Sequence, residues 1–187
     1  MAIVARNSFL HGTRGALGNV IFKVRNGKTI VSSRPQRSER KATPGQRKVQ
    51  QDFLRCVAYA KSGISDPLMH KLYANAASKG RTAYNIAFKD AFQRPEVTSI
   101  DTSYFRGKES DAILIVAKDD FKVDKVVVTI HSADGRLLES GEAFLHRKRL
   151  YWIYIVNKNI KNSAGCVVKA TAYDLPGNEG CLEVVML

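Results

Sequence analysis

Acidic side chains are almost missing from the first fifty residues, where Glu39 stands alone against eleven Lys and Arg. That stretch carries +10 of the chain's formal charge of +13, residues 51–95 add +4, and residues 96–187 come to −1. Internal ion pairing cannot neutralise such a segment, which excludes a self-contained charged surface and leaves solvent, a polyanion or an acidic protein as its counterpart. Cysteine is scarce too. Cys56, Cys166 and Cys181 are odd in number and widely spaced, which excludes a disulfide framework and a cysteine metal cluster; reduced, largely buried thiols are expected. The four histidines, His11, His70, His131 and His146, show none of the close spacings that zinc sites or nucleophile–base pairs use. Long apolar runs are absent, so no segment has the length to span a bilayer. The opening MAIVARNSFLHGTRG lacks an apolar run followed by a small-residue cleavage site. These absences predict a non-enzymatic protein with no cofactor, no metal site, no membrane and no small-molecule substrate. It is expected to stay in the cytoplasm, or to be virion-associated if it belongs to a phage-like particle.

What is present is 187 residues, 44% hydrophobic, enough for one core of about 100 residues with a small satellite. The segment Gly12 to Gly18 (GTRGALG) reads as backbone that turns or packs closely. It is no phosphate loop, since G-K-[ST] and a preceding strand are missing. Residues 19–34, NVIFKVRNGKTIVSSR, are two β-rich runs joined by Asn26-Gly27, the pair favoured where both turn positions need φ > 0. That turn pairs Arg25 with Lys28, Val24 with Thr29, Lys23 with Ile30 and Phe22 with Val31. One face then shows Val20, Phe22, Val24 and Val31, the other Lys23, Arg25 and Lys28.

Residues 34–48 lack apolar periodicity and read as an extended linker. Thr43, Pro44 and Gln46 form a capping-box signature for a helix to about Lys61, with Val49, Phe53, Val57 and Ala60 as its stripe and Gly63 as its stop. A second helix follows Ser65-Asp66-Pro67, with Leu68, Leu72, Tyr73 and Ala76 on one face. A third starts at Thr82 and carries Tyr84, Ala87, Phe88 and Ala91. The three are expected to form a small layer against the hairpin or another subunit. From Val97 the texture turns to eight short runs rich in Val, Ile and Tyr, at 97–100, 112–117, 125–132, 136–140, 142–147, 150–156, 166–173 and 181–187. Asp134-Gly135 and Pro176-Gly177-Asn178 are turns between them. The fold class expected is α+β: a basic N-terminal β-hairpin arm (1–42), a short helical segment (43–95) and an antiparallel immunoglobulin-like β-sandwich (96–187).

Two segments, DDFKVDKVVVTI (119–130) and VVKATAYDLPGNEG (167–180), resemble the acidic turn feeding a Val-rich strand and the last hairpin of bacterial immunoglobulin-like domains. The resemblance covers about half of the chain and implies Val168, Ala170 and Ala172 pointing inward, with Asp174 to Asn178 in the final hairpin. That family serves as spacer, adhesin, virion decoration and assembly module alike, so the resemblance implies a fold more than a function. The N-terminal pattern RGALGNVIFKVRNGKTIVSSRP looks like the opening of small proteins of phage-like elements.

Asp119, Asp120, Asp124 and Asp174 would suit calcium if their loops met, but acidic turns read first as solvated. Tyr151, Trp152 and Tyr154 read as strand core, with Trp152 as a central sandwich tryptophan rather than part of a base-stacking platform. The strongest functional candidate is the basic arm: Arg14, Lys23, Arg25, Lys28, Arg34, Arg37, Arg40 and Lys41. It either docks on protein subunits, in a homo-oligomer or larger assembly, or tracks the phosphates of a nucleic acid. No helix-turn-helix, zinc-finger or ribonucleoprotein motif accompanies it. A third possibility, an enzyme with a site at the junction of helices and sandwich, has no legible acid, base and nucleophile behind it.

Overall fold

The computed structural model describes residues 2–4, 8–36, 41–78, 80–148, 150–160 and 163–186. The chain divides into two compact units, Met1–Val49 and Gln50–Leu187.

The first unit is a four-stranded antiparallel sheet of β1 (Ala2–Ile3), β2 (Gly15–Leu17), β3 (Val20–Arg25) and β4 (Lys28–Ser33), in the order β1-β4-β3-β2. The β3–β4 register is the one Asn26-Gly27 dictates, Arg25 opposite Lys28 and Phe22 opposite Val31. Asn26 has φ 50° and Gly27 φ 71°, the left-handed pair a type I′ turn needs. The hairpin is therefore the centre of a sheet, and the glycine-rich stretch supplies one of its strands: Gly15 pairs with Phe22 and Leu17 with Val20. Loop residues 8–13 fold back over the Thr29 side, where the Gly12 N–H donates to Thr29 Oγ1 at 2.7 Å. Thr29 is buried, yet no apolar residue among the described residues of this unit is.

Helix α1 (Pro44–Ser65) begins in the first unit and continues into the second. Its capping box forms as expected: Thr43 N–H donates to Gln46 Oε1 at 2.9 Å and Gln46 N–H to Thr43 Oγ1 at 3.2 Å. Gly63 does not stop it. That glycine is buried inside the last turns, where the Tyr73 ring lies 3.7 Å from the place a Cβ would take. α2 (Pro67–Ala76) starts at the Asp66 N-cap, whose side chain accepts from the N–H groups of Leu68 and Met69. α3 (Ala83–Phe92) starts at the Thr82 cap.

The expected stripes hold in part: Ala60, Tyr73, Ala87 and Ala91 are buried, but several large apolar members are not. α1 turns Cys56, Ala60 and Gly63 inward and leaves Val49 and Phe53 exposed; α2 buries Tyr73 while Leu68 is 80% exposed. Small residues face inward because the helices approach one another closely around the ring of Tyr73, and Ala60, Tyr73, Ala83 and Ala87 form their core.

Seven strands complete the second unit: β5 (Glu96–Asp101), β6 (Ala112–Lys118), β7 (Val123–His131), β8 (Leu137–Leu145), β9 (Trp152–Ile155), β10 (Val167–Asp174) and β11 (Glu179–Val185). Their order is β11-β10-β7-β8-β9-β6-β5, with every neighbour antiparallel. The runs expected at 136–140 and 142–147 are one strand. β8 pairs with β7 from Leu137 to Ala143, then with β9 through Phe144 and Leu145, so the sheet folds over along it. Gly141 is at the fold, where the Tyr154 ring would be 2.8 Å from a Cβ. The two outermost strands, β5 and β11, approach each other and nearly close the sheet. The architecture is thus α+β with a β-sandwich-like part. Its core holds Ile113, Ile115, Val126, Val128, Ile130, Val156 and Trp152, and Val168, Ala170 and Ala172 point inward as expected.

Cys56 and Cys166 are buried, in line with largely buried thiols, and Cys181 is exposed on β11.

Candidate functional site

The basic residues of the first unit fall where strand alternation puts them. Lys23, Arg25 and Lys28 share one face at the turn end of the hairpin, and the Arg25–Lys28 pairing sets two cations directly opposite each other. Like charges in that position repel, so a bound anion would relieve an internal cost. Arg14 precedes β2, Arg34 follows β4 and Lys41 precedes α1; all six are exposed, and among the described residues none joins an ion pair. Arg37 and Arg40 lie outside the described residues.

The same sheet carries apolar residues on both faces. Ile3, Ile21 and Ile30 share the face of the cations, because Ile3 pairs with Ile30 and strand parity brings Ile21 alongside. Leu17, Val20, Phe22, Val24 and Val31 occupy the other. Ile3 is 62% exposed and Leu17 75%. In the second unit an aromatic strip crosses the helix layer: Phe88 of α3 contacts Phe53 at 5.1 Å, Phe92 at 6.0 Å and Tyr84 at 6.4 Å between ring centres. Phe53 and Phe92 are both at least half exposed.

The helices dock on one end of the sandwich. Asn178, in the turn between β10 and β11, is the main fastener. Its Nδ2 donates to the carbonyls of Ala91 and Gln93 at 3.2 and 3.3 Å and to Asp174 Oδ2 at 2.7 Å. Its Oδ1 accepts from Arg55 Nη2 at 3.2 Å. Phe121, from the β6–β7 connection, lays its ring 4.7 Å from that of Tyr73.

Around this junction Asp90 of α3, Asp119 after β6 and Asp174 at the end of β10 each place a carboxylate oxygen within 4.8 Å of the others. Of the four acids considered for calcium, Asp119 and Asp174 do meet. Asp120 and Asp124 turn away to Lys89 and Lys122, at 2.9 and 3.9 Å. Asp90 of α3 is not among the four acids considered from the sequence. It is 1% exposed. Tyr59 and Tyr73 share a hydroxyl hydrogen bond of 2.8 Å, and the Tyr73 hydroxyl donates to Asp90 Oδ2 at 2.5 Å. Burial raises the Asp90 carboxyl to about 7; the Tyr73 hydrogen bond opposes that rise, and the negative charges of Asp119 and Asp174 add to it. Burial likewise raises Asp174. Asp119 Oδ2 accepts from the N–H groups of Phe121 and Lys122 at 3.0 and 2.8 Å.

Of the aromatic run, Trp152 and Tyr154 are core, as expected, and Tyr151 stacks on His146 with ring centres 4.5 Å apart. Among the described residues no helix is long and apolar enough to cross a membrane.

No protein-family model matches this chain, and no curated protein does. Among solved structures, an engineered protein aligns over 56% of this chain and 25% of its own length at 14% identity and a TM-score of 0.36. The lipoprotein from Bacteroides thetaiotaomicron aligns over 49% of this chain and 76% of its own length at 14% identity and a TM-score of 0.25. The chain therefore spans about a quarter of the first of these, and at such TM-scores the likenesses carry no argument about fold or function.

Proposed function

We propose that this is a non-enzymatic assembly protein that docks onto a protein partner, within a homo-oligomer or a larger phage-like particle, through its basic N-terminal sheet. The observation carrying this reading is a four-stranded sheet with apolar residues on both faces and no buried apolar residue of its own. Sheets of this size gain stability from covering an apolar face, and a partner supplies that cover. The half-exposed aromatic strip on the helix layer offers a second contact of the same kind.

The sandwich serves in this reading as an immunoglobulin-like module. Support comes from strand order: β5-β6-β9-β8 and β7-β10-β11 follow the A-B-E-D and C-F-G arrangement of that fold, with β8 shared between the halves. Trp152 departs from the pattern, since it lies on the fifth strand and not the third.

A second reading, non-specific binding of nucleic-acid phosphates, draws on the facing cations Arg25 and Lys28 and the +10 segment around them. The two separate on substitution. Replacing Ile3 and Leu17 by Gln weakens docking at least tenfold and leaves its salt dependence unchanged if the sheet binds protein. Replacing Lys23, Arg25 and Lys28 by Gln instead flattens the salt dependence if it binds phosphates. Sedimentation of the full chain across salt concentrations reads both, and a native chain that stays monomeric and binds nothing at high concentration contradicts the proposal.

A further inference from the structure

Among the described residues no cation forms an ion pair with the carboxylate cluster at the helix–sandwich junction. The nearby cations are committed elsewhere: Lys89 to Asp120, Lys122 to Asp124, and Arg55 to Asn178 Oδ1. The N–H and O–H donors around the cluster hold some oxygens and leave others bare. Asp174 is fixed by Asn178 at both oxygens, Asp119 through Oδ2 and Asp90 through Oδ2. Asp90 Oδ1 and Asp119 Oδ1 are sealed from solvent and meet no N–H or O–H donor; the Asp119 carboxylate is itself a neighbour that raises the Asp90 carboxyl. A carboxylate oxygen left bare in an almost fully buried side chain is costly, and the usual remedies are a cation or a proton.

The chemistry of the donors narrows the choice of cation. Hard carboxylate oxygens without His or Cys suit calcium or magnesium over zinc. The oxygens here lie within 4.8 Å of one another, close enough to share one cation, and Ca²⁺ accepts an irregular set of oxygens more readily than Mg²⁺, which demands near-ideal octahedral geometry. Donors on Asp90 Oδ2, Asp119 Oδ2 and Asp174 hold the carboxylates in place, as a second shell does in metal sites.

We propose that Asp90, Asp119 and Asp174 bind a divalent cation of calcium size, which ties α3, the β6–β7 connection and the end of β10 together. The bound ion fastens the helix layer to the sandwich, beside the Asn178 contacts. This role is independent of what the N-terminal sheet docks onto.

Terbium is the probe, because the Tyr73 hydroxyl is bonded to one of the ligands and its ring sensitises lanthanide emission at short range. The full-length chain is expected to give tyrosine-sensitised terbium emission that saturates at one ion per chain. Calcium displaces it at lower concentration than magnesium. Asp119→Asn, which keeps an acceptor for the Phe121 and Lys122 N–H groups, weakens terbium binding at least tenfold; Asp120→Asn and Asp124→Asn leave it as in the native chain. Should Asp119→Asn fail to fold, the native chain decides: its melting midpoint is higher in calcium than in chelator. Absent emission, binding lost with Asp120→Asn but kept with Asp119→Asn, or equal midpoints in calcium and chelator would overturn the proposal.

Discussion

Asn178 shows how much a single turn residue can do. Four hydrogen bonds of its side chain join the β10–β11 turn to Arg55, the end of α3 and Asp174, in a buried setting where lost partners are not replaced by water. Asn178→Ala is expected to destabilise the second unit by about 2–4 kcal/mol in chemical denaturation, on typical net values for such bonds. Asp90 makes an opposite prediction. Its folded-state carboxyl is raised from 3.8 to about 7, so the folded chain binds that proton more tightly than the unfolded chain does. The associated cost is absent below the unfolded value, grows by at most ~1.4 kcal/mol per pH unit between the two values, and is complete above about 7. In chelator, Asp90→Asn should therefore gain stability relative to the native chain as pH rises from about 4 to about 7, then hold that gain. A difference that stays flat across this range would show that Asp90 is ionised in the fold from low pH. Neither residue announces its role in the sequence. Pro176-Gly177-Asn178 reads as a turn and is one, but that its amide reaches 87 residues back to Ala91 depends on tertiary contact.

At the scale of elements, local chemistry was legible in full and facing only in part. The hairpin register followed from Asn26-Gly27 and the start of α1 from Thr43 and Gln46, because both are set by neighbours in sequence. The sandwich strands followed from period-2 alternation. The helix stripes hold at Ala60, Tyr73, Ala87 and Ala91 and fail at Val49, Phe53 and Leu68, because close approach around Tyr73 selects small residues such as Cys56 and Gly63 over large apolar ones. β8 was read as two strands because Gly141 interrupts its apolar pattern; that glycine makes room for the ring of Tyr154 instead. The Tyr154 hydroxyl donates at 2.6 Å to the buried Glu139, whose Oε1 also accepts from the Asn157 backbone at 2.7 Å. Gly141→Ala pushes a methyl into that ring and is expected to cost about 1–3 kcal/mol, the usual range for overpacking, measured by urea unfolding. A cost near zero would mean that β8 bends without help from the glycine.

The whole molecule is polarised in charge and in covering. Its C-terminal half is near neutral and has its own core, while the first fifty residues hold +10 and a sheet without buried apolar side chains. That polarity was visible in the sequence. The acid cluster was visible only in half, since Asp119 and Asp174 were singled out for their loops whereas Asp90 had to be delivered by a helix. The most direct test of docking through the N-terminal sheet is the molar mass of the full-length protein by light scattering at low and high salt, with nucleic acid read from the absorbance ratio. Docking through apolar sheet contacts predicts a clean, associated species whose mass persists at high salt. A monomer at every concentration and salt, or a particle that carries nucleic acid and loses it with salt, would contradict it.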